Sequence, residues 1–293
     1  MPTPRPDGAF AALVNDLAER SRILGWSEGI HLRTEYLTVR DAVIRQLVER
    51  DLIRVIAAES NFAASRATDA YLRGEQAATP SVAAICGVWS WAGRPLAANR
   101  SLLAWLRAVN ATRPPAARVR FYGLDMYGAP PDLAPVPEED RAHAERLRRW
   151  RGEHEAAGGD HRDLAVRDDA QFASLTEVAA RHPEDRILVF EQTGHLDPRA
   201  HGSLGARLRS GELGPVRLVG ALWRDGDPTV RFPLGEYAPL SHWLEDHPER
   251  LLPAPAGTGV LDLREPAEVD LLRETATAFD AVLYAPRLSI AEG

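Results

Sequence analysis

Between residues 21 and 59 the chain reads SRILGWSEGIHLRTEYLTVRDAVIRQLVERDLIRVIAAE. The run 21–25 (SRILG) is short, apolar and closed by glycine, the pattern of a buried strand. From Ile30 to Arg50 apolar side chains return at helical spacing: Tyr36, Val39, Val43, Ile44 and Leu47. A second apolar run, 53–58 (IRVIAA), follows directly. Strand, helix and strand in that order predict two parallel strands joined by a crossover helix.

The same alternation continues outward. Residues 9–20 (AFAALVNDLAER) read as an amphipathic helix, 61–73 and 100–110 as helices, and 118–123 (RVRFYG) as a third strand. Runs at 186–190 (RILVF), 216–222 (VRLVGAL) and 279–284 (FDAVLY) complete the set. Apolar strands with few polar interruptions are buried on both faces. The expectation is therefore an α/β fold with a largely parallel sheet flanked by helices. Residues 137–156 (PEEDRAHAERLRRWRGEHEA) break the alternation with dense charge. Residues 127–185 accordingly read as a short helical insertion with a solvated face, and 1–126 with 186–293 as the core.

Composition narrows the function classes. With 293 residues and 45% hydrophobic content, the chain can bury a large core. No apolar run reaches the roughly 18 residues of a membrane span. Residues 1–8 lack the apolar stretch of a secretion signal, so a cytoplasmic location is expected. A net charge of −7 argues against a nucleic-acid partner. The single cysteine, Cys86, lies among Ala83, Ala84 and Ile85 and reads as a core thiol. The oligomeric state has no signature in the sequence.

Polar residues recur at the ends of the apolar runs. Glu28, His31 and Glu35 follow the first strand at i, i+3 and i+7, a spacing that would put them on one helix face. Glu59 closes the second strand, and Gly194-His195 follows the run 186–190. Two imidazoles and several carboxylates thus converge on the carboxyl ends of three strands, where ligands of open parallel sheets bind. Trp26, Trp89 and Trp91 could line an apolar pocket beside them.

In order along the chain, Glu28, His31, Glu35, Arg40 and the strand-end Glu59 resemble the erythromycin esterase family. Further matches are Asp69-Ala70-Tyr71-Leu72-Arg73-Gly74, Trp89-Ser90-Trp91, Trp105-Leu106-Arg107 with Asn110, and Phe121-Tyr122-Gly123-Leu124-Asp125-Met126. Thr193-Gly194-His195 resembles the end of the family's His-Asn-x-His motif, with Gln192 and Thr193 in place of its first two residues. Leu32 and Arg33 stand where small residues usually follow the first histidine, and the insertion is shorter than in typical members. The resemblance implies opening of an ester or lactone by an activated water. In that scheme His31 is the general base, Glu59 and Glu28 orient it or hold the water, and Arg40 and His195 polarise the carbonyl and stabilise the developing oxyanion. Glu35, Trp26, Trp89, Trp91, Tyr122, Asp125 and Gln192 would contact a natural-product-type small molecule or peptide.

Other readings stay open. Gly25-Trp26-Ser27-Glu28-Gly29 fits the G-x-S-x-G nucleophile pattern, which would make Ser27 a nucleophile. His31, His195, Glu59 and Glu28 could together bind a divalent metal, although no H-E-x-x-H is present; no resident metal or cofactor is expected. The same acid–base set could instead serve elimination, cyclisation or acyl transfer in biosynthesis. A binding module without catalysis is the remaining class.

Overall fold

The structure, a computed structural model, describes residues 8–75, 96–128, 136–226, 230, 234–264 and 269–291. Eight strands form one sheet: β1 Ile23–Glu28, β2 Val55–Asn61, β3 Arg120–Asp125, β4 Ile187–Gln192, β5 Val216–Trp223, β6 Leu252–Pro253, β7 Gly259–Asp262 and β8 Ala281–Ala285. Their spatial order is β3-β2-β4-β1-β5-β8-β7-β6. The first six in that order are parallel, and β7 and β6 add an antiparallel edge. That edge, within the Pro- and Gly-rich 252–262, has no alternating pattern and was not expected from the sequence.

Helices α1 Gly8–Glu19, α2 Thr34–Glu49, α3 Phe62–Leu72, α4 Ala97–Ala111, α5 Glu138–Ala156 and α6 Leu164–Arg181 precede β4; α7 Thr193–Leu196 follows it. Every position of β1 is buried, Ser27 and Glu28 included, as a central strand covered on both faces requires. The chain leaves β1 toward β2 on one side, whereas it leaves β4 across β1 toward β5 on the other. Connections that diverge in this way open a crevice at the carboxyl ends of neighbouring strands. Among the described residues no helix is long and apolar enough to cross a membrane.

Two details fix what stands at that crevice. On β2, Ala58 pairs with Gly123 and Asn61 with Asp125, so three residue steps oppose two. This bulge lies at Glu59-Ser60, and bulges re-aim side chains at strand ends. Gly123 admits it, since a Cβ there would lie 2.4 Å from the Ser60 carbonyl oxygen.

Several motif residues of the sequence reading hold the edge strand β3. Asp69 on α3 accepts from the Phe121 backbone N–H (2.9 Å) and pairs with Arg120 (2.8 Å). Asn110 on α4 accepts from the Val119 N–H and donates to the Leu72 and Val119 carbonyls.

Candidate active site at the strand ends

β1 ends at Glu28, and Gly29 to Arg33 form a turn before α2 begins at Thr34. The expected helix face of Glu28, His31 and Glu35 therefore does not exist, because the helix starts three residues after His31. The turn still joins the first two: His31 Nδ1 donates to Glu28 Oε1 at 2.6 Å. Leu32 is held at a φ of 63°, a left-handed conformation that non-glycine residues rarely adopt. The C-terminal segment clamps this turn, with Ala291 donating to the Leu32 carbonyl and Thr34 to that of Ser289. Glu35 faces this clamp, accepting from the Ser289 backbone N–H and hydroxyl (2.9 and 2.6 Å), and so braces the loop.

Glu59 is the hub. Its Oε1 accepts from the Arg167 guanidinium at 2.7 Å, and its Oε2 accepts from the Gln192 backbone N–H at 3.1 Å. His31 Nε2 lies 3.7 Å from Oε2, and His195 Nε2 lies 3.3 Å from Oε1. The bulge, the start of α7 and the β1 turn thus bring His31, Glu59 and His195 together around one carboxylate. Asp125, at the end of β3 and fully buried, is held by Arg167 (Nε to Oδ2, 2.9 Å). Asp168 accepts from His195 Nδ1.

The charges are strongly interdependent. Burial opposes ionisation of Glu59, but His195, His31 and Arg167 outweigh it and hold this carboxyl well below its usual range. Burial would lower His31, yet the Glu59 charge and the Glu28 hydrogen bond raise it to about 8. His195 is likewise pushed up despite burial, by Glu59 and Asp168. Only His31 faces solvent appreciably, with a fifth of its side chain exposed against none for His195.

The remaining sequence-selected residues lie elsewhere. Arg40 is buried with its guanidinium on Asp41 (2.7 Å) and Asn99 (2.9 Å), linking α2 to α4. Trp26 is 1% exposed and meets Phe10 of α1 edge-on, so it packs core rather than lining a pocket. Tyr122 bonds His182, which precedes β4 and so sits at the opposite end of the strands. Ser27 lies inside β1 rather than on a strand-to-helix elbow; it is buried and shares a hydrogen bond with Thr193. Trp89, Trp91 and Cys86 fall outside the described residues.

Sequence reading missed three participants. Arg167 and Asp168 lie in the segment taken for a solvated insertion, although Arg167, Gln171, Ser174 and Val178 form a buried stripe on α6. Glu191 was hidden because the apolar run was ended at Phe190. It lies on the same face of β4 as Ile187 and Val189 and is 1% exposed.

No curated protein matches the sequence. Solved structures do match its fold. A mutant erythromycin esterase in its open conformation aligns with a TM-score of 0.67 at 14% identity, covering 99% of this chain and 97% of that one. A Bacillus cereus protein gives 0.63 at 11% identity, covering 100% and 96%, and a succinoglycan biosynthesis protein gives 0.64 at 10%, covering 98% and 94%. The sequence model of the erythromycin esterase family matches residues 48–150, a span that holds Glu59, Asp69, Asn110 and Asp125. Over that span the chain is similar in sequence to the erythromycin esterase family, and along nearly its whole length it has the fold of an erythromycin esterase.

Proposed function

We propose that the protein is a hydrolase that opens an ester or lactone bond of a natural-product-type small molecule, with His31 as general base. The observation that carries this reading is the Glu28–His31–Glu59 arrangement. Nδ1 is tied to Glu28, which fixes the tautomer, while Nε2 points toward Glu59 at the solvent-facing edge. A base so held takes a proton from water as the oxygen adds to the acyl carbon. It returns that proton to the alkoxide as the acyl–oxygen bond breaks. Glu59 stabilises the imidazolium formed in between. The buried His195, tied to Asp168, supports Glu59 from below rather than touching the carbonyl, and Arg40 braces α2. The match of residues 48–150 to the erythromycin esterase family supports hydrolase-type chemistry in general; the substrate class and the roles of His31 and Glu59 are this proposal's own.

His31→Ala is expected to lower turnover of activated esters or macrolactones at least about a thousandfold, in line with loss of a general base. Its thermal midpoint should stay close to that of the parent chain. Hydrolysis in oxygen-18 water must place one heavy atom in the acid product. Turnover that needs His31 but incorporates no label would replace hydrolysis by elimination or group transfer.

A further inference from the structure

The most unusual group in the core is one that the proposed reaction does not use. Glu191 is 1% exposed, and neither of its carboxyl oxygens has a hydrogen-bond partner. Buried polar atoms are almost always paired, so two orphan oxygens on one side chain need an explanation. His195 Nε2 is also buried without a hydrogen bond, its approach to Glu59 being off-line. These unpaired atoms converge, since ligand atoms of Glu59, Glu191 and His195 all lie within 4.8 Å of one another.

From this geometry we infer that Glu59, Glu191 and His195 form a binding site for one divalent transition-metal ion of the zinc or manganese class. The donor set is one imidazole nitrogen and two carboxylates, which suits those ions and whose two negative charges balance the cation. In a four-coordinate shell with bonds of about 2.1 Å, ligand atoms are about 3.4 Å apart, so each must move inward by less than about 1 Å. The next layer is also in place. His195 directs Nδ1 to Asp168, which leaves Nε2 free to bind and fixes the ring, as carboxylate–histidine pairs do behind metal ligands. Glu59 Oε1 already accepts from Arg167, but a carboxylate oxygen has a second lone pair for a cation. Arg167 is itself shared with Asp125, which tempers its repulsion of an ion.

This set differs from the one that the sequence offered. It excludes His31 and Glu28, which pair with each other, and adds Glu191. The site is independent of which bond the protein cleaves, and its test can fail while the hydrolase reading stands.

The test uses the full chain, stripped with a chelator and titrated with Zn²⁺ and, for its visible spectrum, with Co²⁺. Expected are one ion per chain, a Co²⁺ ligand-field band, and a rise in the thermal midpoint with added Zn²⁺. Glu191→Gln, which keeps the side chain's shape, should weaken binding at least about tenfold and remove the thermal shift. Asp168→Asn should weaken it about 10- to 100-fold, the usual cost of losing such a support. His31→Gln should leave affinity unchanged. The inference is overturned if no ion binds at about 100 µM, more than about a thousandfold weaker than structural zinc sites, or if binding survives Glu191→Gln, or if it is lost in His31→Gln.

Discussion

His31 stands between two carboxylates at the edge of a buried site, and its charge state sets when it can act as a base. Burial favours the neutral ring, but the Glu59 charge and the Glu28 hydrogen bond prevail and raise it to about 8. At pH 7 only about one ring in ten is then neutral. The base form grows as pH rises, so kcat/KM should climb through an apparent pKa near 8 and level off above it. Glu28→Gln removes one source of the upward shift, so the rising limb should move toward the ordinary histidine value of about 6.5 while the plateau falls. A limb that stays near 8 in Glu28→Gln would separate the profile from His31. At this scale much of the site could be read from sequence, because His31, Glu28, Glu59 and His195 each follow an apolar run and announce themselves as polar residues at strand ends. Glu191 could not be, since a carboxylate at the inward end of a strand looks like the first residue of a loop. Trp26 misled in the opposite way: nearness in sequence to Glu28 says nothing about which face of the sheet a strand residue takes.

At the scale of elements, the bulge in β2 is what aims Glu59. Residues 53–58 announce a strand, but nothing in them announces an extra residue at its end. The signal lies in another strand, at Gly123, whose missing side chain leaves room for the displaced Ser60 carbonyl. Gly123→Ala places a methyl group against backbone that cannot rotate away. The bulge should shift, at a cost of about 1–3 kcal/mol in stability, as overpacking of a core usually brings. Glu59 moves with it, so kcat/KM should drop at least about tenfold, as small misplacements of catalytic groups do. Unaltered kinetics in a correctly folded Gly123→Ala protein would mean that the bulge does not position Glu59. Neighbouring motif residues have a different purpose. Asp69 and Asn110 satisfy backbone groups of β3 and of the residue preceding it, which explains why a family-like sequence pattern contains residues remote from the chemistry. Sequence similarity alone does not separate the residues that build the sheet from those that stand on it.

Across the whole molecule, the question is whether 127–185 is an appendage or part of the body. Its charge density reads as solvated surface, and α5 fits that description with only Asp140, His143 and Leu147 buried. α6 does not: it packs along β3 with eight buried residues and sends Arg167 between Glu59 and Asp125. Sequence could not distinguish the two helices, because a buried arginine has the same letter as a solvated one and only the carboxylates waiting for it, on β2 and β3, make the difference. Arg167→Ala would leave two buried carboxylates without their shared cation, a change that costs about 3–5 kcal/mol when one partner of a buried pair is removed. For a chain of this size each kcal/mol lowers the midpoint by roughly 2–4 °C, so a loss of about 10 °C is expected. Arg162→Ala in the same segment removes only an exposed pairing with Asp160 and should leave the midpoint almost unmoved. Equal, small effects from both substitutions would make the segment a detachable cover; a large loss confined to Arg167 makes α6 a structural wall of the site, joined to the sheet by the same carboxylate that faces His31.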